Sequence, residues 1–107
     1  MDKNHIDNIL KELKNKLKKL YGEKLAGIIL YGSYAKGKAN HDSDIDIAII
    51  LHGKVYPGIE IDRINDLIYE LNLKYNTLIS IYPVSENSFN KIKSPLILNI
   101  HKEGINV

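Results

Sequence analysis

The sequence predicts a single α/β domain of the α+β kind over residues 1–107, and three observations carry that reading. Two stretches repeat apolar residues at the three- and four-residue spacing of an amphipathic helix. Three short runs rich in Ile and Leu have the length of buried strands. A length of 107 residues suits one hydrophobic core, and any site on so small a body is expected to be a shallow cleft.

The elements follow in order. Ile6, Leu10, Leu13, Leu17 and Leu20 form one apolar stripe, and Gly22 is placed to end that helix. Lys11, Lys14, Lys16, Lys18 and Lys19 crowd the same segment. They read as its solvated face rather than as a phosphate-attracting patch. Leu25 to Tyr31 reads as a first strand, broken by Gly32-Ser33, and a small, polar loop follows to Ser43. Asp44 to Leu51 reads as a second strand. His52-Gly53 and Pro57-Gly58 punctuate the next connection. Ile61, Ile64, Leu67, Ile68 and Leu71 give a second helical stripe, and Leu78 to Tyr82 a third strand stopped by Pro83. Ser94-Pro95 has the hydroxyl cap and first-turn proline of a helix start. Gly104 marks that helix's end, and Ile105 to Val107 offers a short last strand.

Composition narrows the function classes. Hydrophobic residues at 44% and charged residues at 26% are ordinary for a globular domain. Fifteen basic against thirteen acidic residues leave a net charge of +2, too balanced for a bulk nucleic-acid-binding face. The absence of cysteine excludes disulfides, thiolate metal sites and cysteine nucleophiles. No run approaches the ~18 apolar residues that span a bilayer. Met1-Asp2-Lys3-Asn4 leads into polar helix, so no signal peptide is expected and a soluble, cytoplasmic protein is.

Strand alternation locates the chemistry. Asp44, Asp46, Ala48 and Ile50 share one face, and Ile45, Ile47, Ile49 and Leu51 the other. The second face is wholly apolar and belongs to the core. The first begins with two carboxylates whose Cα atoms lie ~6.6 Å apart along a strand. Oxygen ligands so placed suit Mg²⁺, which takes one or two carboxylates together with substrate phosphates. A cation also relieves the repulsion between adjacent carboxylates. Gly32 allows a sharp turn and a close approach, and a helical turn from Ser33 would aim backbone N–H groups at a phosphate. Phosphate cradle and metal ligands side by side are the two components of metal-assisted phosphoryl or nucleotidyl transfer.

Gly32-Ser33, ten intervening residues and Asp44-Ile45-Asp46 resemble the signature of the DNA polymerase β nucleotidyltransferase superfamily. The fuller string from Gly32 to Ile47 resembles its minimal members, and Leu98 to Asn106 is similar to their C-terminal helix and strand. The resemblance implies a polymerase β-like fold, a mixed β-sheet flanked by helices. It implies one or two Mg²⁺ ions on Asp44 and Asp46, which would be the catalytic residues. A nucleoside triphosphate, ATP for choice, would bind at Gly32 and Ser33, with Ser43 and Lys36 as further nucleotide-binding candidates. It implies transfer of a nucleoside monophosphate to a protein or nucleic-acid hydroxyl, and a role as antitoxin to a HEPN-type ribonuclease toxin. Direct nucleic-acid binding and self-association stay open. The superfamily's third carboxylate, on a later strand, corresponds here to Ser80, with Asp42 or Glu86 as stand-ins. The resemblance therefore also admits an impaired enzyme that neutralises its toxin by binding.

The remaining candidates are weaker. His5, His41, His52 and His101 lack metal-ligand spacing, so zinc is not expected. His41 reads as an exposed loop residue beside the phosphate site. Lys36 and Lys38 are better placed to neutralise phosphate charge. Tyr31 and Tyr34 flank Gly32-Ser33, placed either to stack on a base or to pack locally, and Tyr82 shares the face of Ser80.

Overall fold

The computed structural model describes residues 3–40 and 42–107, so Met1, Asp2 and His41 lie outside the described residues. Helix α1 (Lys3–Tyr21) leads through a short 3-10 turn (Gly22–Lys24) into β1 (Leu25–Tyr31). Strand β2 (Ile45–Leu51), helix α2 (Pro57–Tyr75) and strand β3 (Ile79–Ser85) follow. Two helices, α3 (Glu86–Lys91) and α4 (Pro95–Glu103), precede the two-residue β4 (Ile105–Asn106). The sheet order is β3-β2-β1-β4. β1 runs antiparallel to both β2 and β4, and β3 parallel to β2, so the sheet is mixed as expected.

One face of the sheet is sealed by α1 and α2. Ile45, Ile47, Ile49 and Leu51 project into this layer with no exposed surface. Burying each contributes about 1.5–3 kcal/mol. On α1 the buried row is Ile6, Ile9, Leu13, Leu17 and Tyr21. Leu10 packs at its margin and Leu20 is exposed, so the expected stripe is rotated by part of a turn. On α2 the buried row is Glu60, Ile64, Ile68 and Leu71, while Ile61 is exposed. Helix periodicity alone does not say which flank of a broad apolar arc meets the sheet.

Glu60 is a charged residue in this layer. It is 2% exposed and accepts a hydrogen bond from the Tyr21 hydroxyl at 2.8 Å, with Lys24 at 3.7 Å and Arg63 at 3.8 Å. Burial first, and then that hydrogen bond, push the Tyr21 phenol well above its ordinary range. The carboxylate thus ties the end of α1 to the start of α2 without leaving a buried charge unpaired.

The other face is covered over part of its length. Ala48, Ile50 and Val84 pack under Phe89 of α3 and under Ile97 and Ile100 of α4. Ser94 caps α4 as expected, its hydroxyl accepting from Ile97 N at 3.2 Å. Gly104 ends that helix at φ −68°, not in the left-handed region. Glycine is required there for space, since a Cβ would collide with Ile100 O and with Ile29 Cγ2.

Two expectations are corrected, and one helix is added. Pro57 opens α2 at its first turn instead of punctuating a loop, where its missing N–H has no helical partner to lose. Pro83 does not stop β3, which continues to Ser85 with Pro83 opposite Ile49. An edge strand tolerates proline because one side of its ladder is unpaired. The short α3, capped by the Ser85 hydroxyl accepting from Ser88 N at 3.0 Å, has too few residues to show a helical period.

Candidate active site

The site forms where β1 ends and β2 begins. Tyr31 is paired with Asp46 across the antiparallel ladder, and Asp46 with Ser80 across the parallel one. Tyr31, Asp46 and Ser80 therefore make one row across the sheet, on the face that α3 and α4 leave open at this end. Asp44 stands one residue ahead of β2 and is exposed, whereas Asp46 is half-buried.

Gly32 is the hinge of the arrangement. Its φ is +74°, which L side chains rarely adopt. The Asp46 carboxylate occupies the space a Cβ would need, with Asp46 Cγ 3.1 Å from that position. The left-handed turn and the close approach both demand glycine. Beyond it the chain makes a tight turn, with Lys36 N donating to Gly32 O at 3.2 Å and Lys38 N to Ser33 O at 2.9 Å. Among the described residues the backbone hydrogen bonds of this turn do not use the N–H groups of Ser33 and Ala35.

The return loop is locked by Asn40, which the sequence reading did not single out. Its side-chain oxygen accepts from Asp42 N at 2.8 Å, and its own N–H donates to Ser43 Oγ at 3.0 Å. The signal was available, since Asn followed by polar residues is a common turn former. The Ser43 hydroxyl is accordingly engaged within the loop. Lys36 pairs with Glu103 of α4 at 3.0 Å, which anchors the turn to the C-terminal helix. Lys38 is exposed. Tyr34 packs toward the α1 side and donates its hydroxyl to Asn40 O at 3.4 Å.

Electrostatics favour a cation here. Burial, and then the negative charge of Asp44, hold the Asp46 carboxyl above its ordinary value. Burial, then Asp46, then Tyr82, push the Tyr31 phenol up as well. Among the described residues no basic side chain pairs with Asp44 or Asp46. Two hard oxygen donors whose charges repel, beside unused N–H groups, fit Mg²⁺ with a phosphate.

Ser80 occupies the neighbouring strand position, and no group of three His, Asp or Glu side chains is gathered for a metal among the described residues. Glu86 does not fill that gap. It follows β3 at the far end of the sheet, ~16 Å of strand from the Ser80 row, and pairs with His52 at 3.3 Å. Asp42 lies in the return loop and is exposed. His101 stacks on Phe89 and His5 meets Tyr75 edge-on, both away from the carboxylates.

Comparison with known proteins bears on the family and the fold. The family model described as "nucleotidyltransferase domain" matches residues 10–105. Two proteins of Methanocaldococcus jannaschii that bear the provisional name protein adenylyltransferase are similar along nearly the whole chain. One is 37% identical over 99 residues, covering 92% of this chain and 93% of its own. The other is 38% identical over 104 residues, covering 94% and 69%. Among solved structures, a toxin–antitoxin crystal structure with AMP-PNP superposes with a TM-score of 0.61 at 20% identity, over 99% of this chain and 72% of that one. A mutant of the toxin–antitoxin pair MntA–HpeT superposes with a TM-score of 0.62 at 21% identity, over 89% and 70%. At that identity the structural likeness speaks for the fold. Among the described residues no helix is long and apolar enough to cross a membrane.

Proposed function

The chain belongs to the nucleotidyltransferase domain family, and from that premise we propose that it transfers AMP from ATP to a hydroxyl of a protein acceptor, as the antitoxin of a toxin–antitoxin pair. The observation that carries the reading is the Asp46 carboxylate seated against Gly32 at the foot of a donor-bearing turn. Asp44 and Asp46 would hold Mg²⁺, which would polarise the phosphate oxygens and offset their charge. Gly32 leaves room for the Asp46 carboxylate, and the N–H groups after it, with the Ser33 hydroxyl, bind and orient the triphosphate. Lys36 and Ser43 border this position, and Lys36 reaches the phosphates only by leaving Glu103. The acceptor oxygen attacks the α-phosphorus. Its O–P bond forms as the bond to the bridging oxygen breaks, pyrophosphate departs, and the hydroxyl proton passes to solvent.

The provisional naming of the relatives supports a protein acceptor, and the AMP-PNP structure supports ATP. A HEPN-type ribonuclease toxin is the acceptor and partner we favour. Incubation with α-labelled ATP, Mg²⁺ and the product of the neighbouring gene tests the reading. Label on that product, lost in the Asp44→Asn/Asp46→Asn protein, is the expected result. Label retained in the double variant sinks it.

One observation favours a second reading. Ser80 stands in the row of Asp46 where a further carboxylate would complete the metal site. A chain impaired in this way would neutralise its partner by binding. An unlabelled partner that binds wild type and double variant equally well distinguishes that case.

A further inference from the structure

The flank of α1 turned away from α2 borders an open groove of about 770 Å³. Ile6 and Leu10 of α1, Leu30 of β1, Tyr34 and the terminal Ile105 and Val107 give it an apolar floor. Lys11 and Lys14 stand on its α1 side together with Asp7, so the two lysines outnumber the one carboxylate there. Neither lysine is held in an ion pair among the described residues, although Lys16 on the opposite flank pairs with Glu70. The groove is thus apolar with a cationic rim.

The same chain carries the complementary surface. On α2, Ile59, Asp62, Asp66, Tyr69 and Leu73 recur at spacings of three and four, so they form one straight stripe. It lies opposite the buried row. Ile59 is 54%, Tyr69 63% and Leu73 66% exposed, and both aspartates are exposed and outside any ion pair among the described residues. Large apolar side chains this open, ordered on one face of a helix, mark a contact surface rather than scattered exposure. Packing two such stripes on each other symmetrically is disfavoured, because it brings Asp62 and Asp66 of one near those of the other. The lysine-rimmed groove answers both the apolar residues and the charge.

We propose that the groove between α1 and β4 receives the outer stripe of α2 from a second copy of this chain. Two such contacts made reciprocally close a dimer, and one made head to tail propagates a chain. Either way the contact is of the small, weak class that buries under ~1,200 Å². It is independent of the reaction proposed above. The docked stripe touches Tyr34 on the back of the loop that bears Ser33, so self-association and the active site share a wall.

Sedimentation velocity up to about 1 mM protein, where even a millimolar contact is substantially populated, tests this at low salt. The expected result is concentration-dependent association, lost in Leu73→Glu, in Lys11→Glu/Lys14→Glu and in Asp62→Lys/Asp66→Lys. Mixing the two charge-reversed proteins restores it, because each then offers what the other lacks. All substitutions lie on exposed or half-exposed positions, and unchanged circular dichroism confirms the fold. A chain that stays monomeric throughout overturns the proposal. So does association that survives both charge reversals, or charge-reversed proteins that fail to associate when mixed.

Discussion

The two faces of β2 differ although the same seven residues make both. Toward α1 and α2, Ile45, Ile47, Ile49 and Leu51 are wholly buried and form an unbroken apolar row. Toward α3 and α4, Ala48 and Ile50 are buried, and then the row opens onto Asp46 and, just ahead of the strand, Asp44. The first face stabilises the fold along its whole length. The second stabilises it over half the strand and at its open end costs free energy, since Asp46 is both partly desolvated and repelled by Asp44. A strand can carry that cost at one end because its other face is sealed.

Substitutions on each side sharpen the contrast. Ile49→Ala leaves a cavity in the sealed layer and is expected to cost about 3 kcal/mol in urea unfolding, with the site's chemistry unchanged in the fraction that remains folded. Gly32→Ala strikes the open end. It forces a side chain into a left-handed backbone and displaces the Asp46 carboxylate, so a loss of about 2 kcal/mol is expected, together with loss of Mn²⁺ binding read by electron paramagnetic resonance. A destabilised variant that still binds the ion would separate Gly32 from the carboxylates.

Asp46→Asn works in the opposite direction. Removing the repelled charge is expected to raise the unfolding free energy of the metal-free protein at pH 7 by an amount on the order of 0.5 kcal/mol, read as a higher thermal midpoint, while abolishing Mn²⁺ binding. The smallest effect is in pH. A carboxyl held above its ordinary value contributes stability that is present below the unfolded value of ~3.9 and is lost as pH rises through the folded value. Without metal, the wild type should therefore lose ground to Asp46→Asn as pH rises from about 3 to 6. A constant difference across that range would mean that Asp46 is not strained by its neighbours.

Much of this was legible in the residues. The alternation of Asp44-Ile45-Asp46-Ile47 assigns two faces without any structure, because successive side chains in a strand must point to opposite sides. Gly32-Ser33 at a strand end and Ser94-Pro95 at a helix start are likewise local matters, decided by backbone sterics and one or two hydrogen bonds. The family resemblance put Ser80 at the position of a third carboxylate, and the parallel register sets Ser80 opposite Asp46.

Other features were not legible because their causes lie far away in sequence. Ile9 is buried and Leu20 exposed because the sheet, not the helix, chooses which part of α1's apolar arc it covers. Pro83 continues a strand because β3 lies at an edge, which only the strand order reveals. Glu60 is buried because Tyr21, Lys24 and Arg63 converge on it from other parts of the chain or from the next helical turn. Nothing in Glu12 or Lys74 marks them as partners, yet they meet at 2.7 Å across 62 residues. By itself the sequence determined the elements other than α3, their two-faced strand and the two carboxylates, since each follows from steric rules that act over a few residues. Tertiary structure alone decided that the Asp46 carboxylate lies against Gly32 and that Lys36 is tied to Glu103, because those contacts exist only after long-range pairing has set the register.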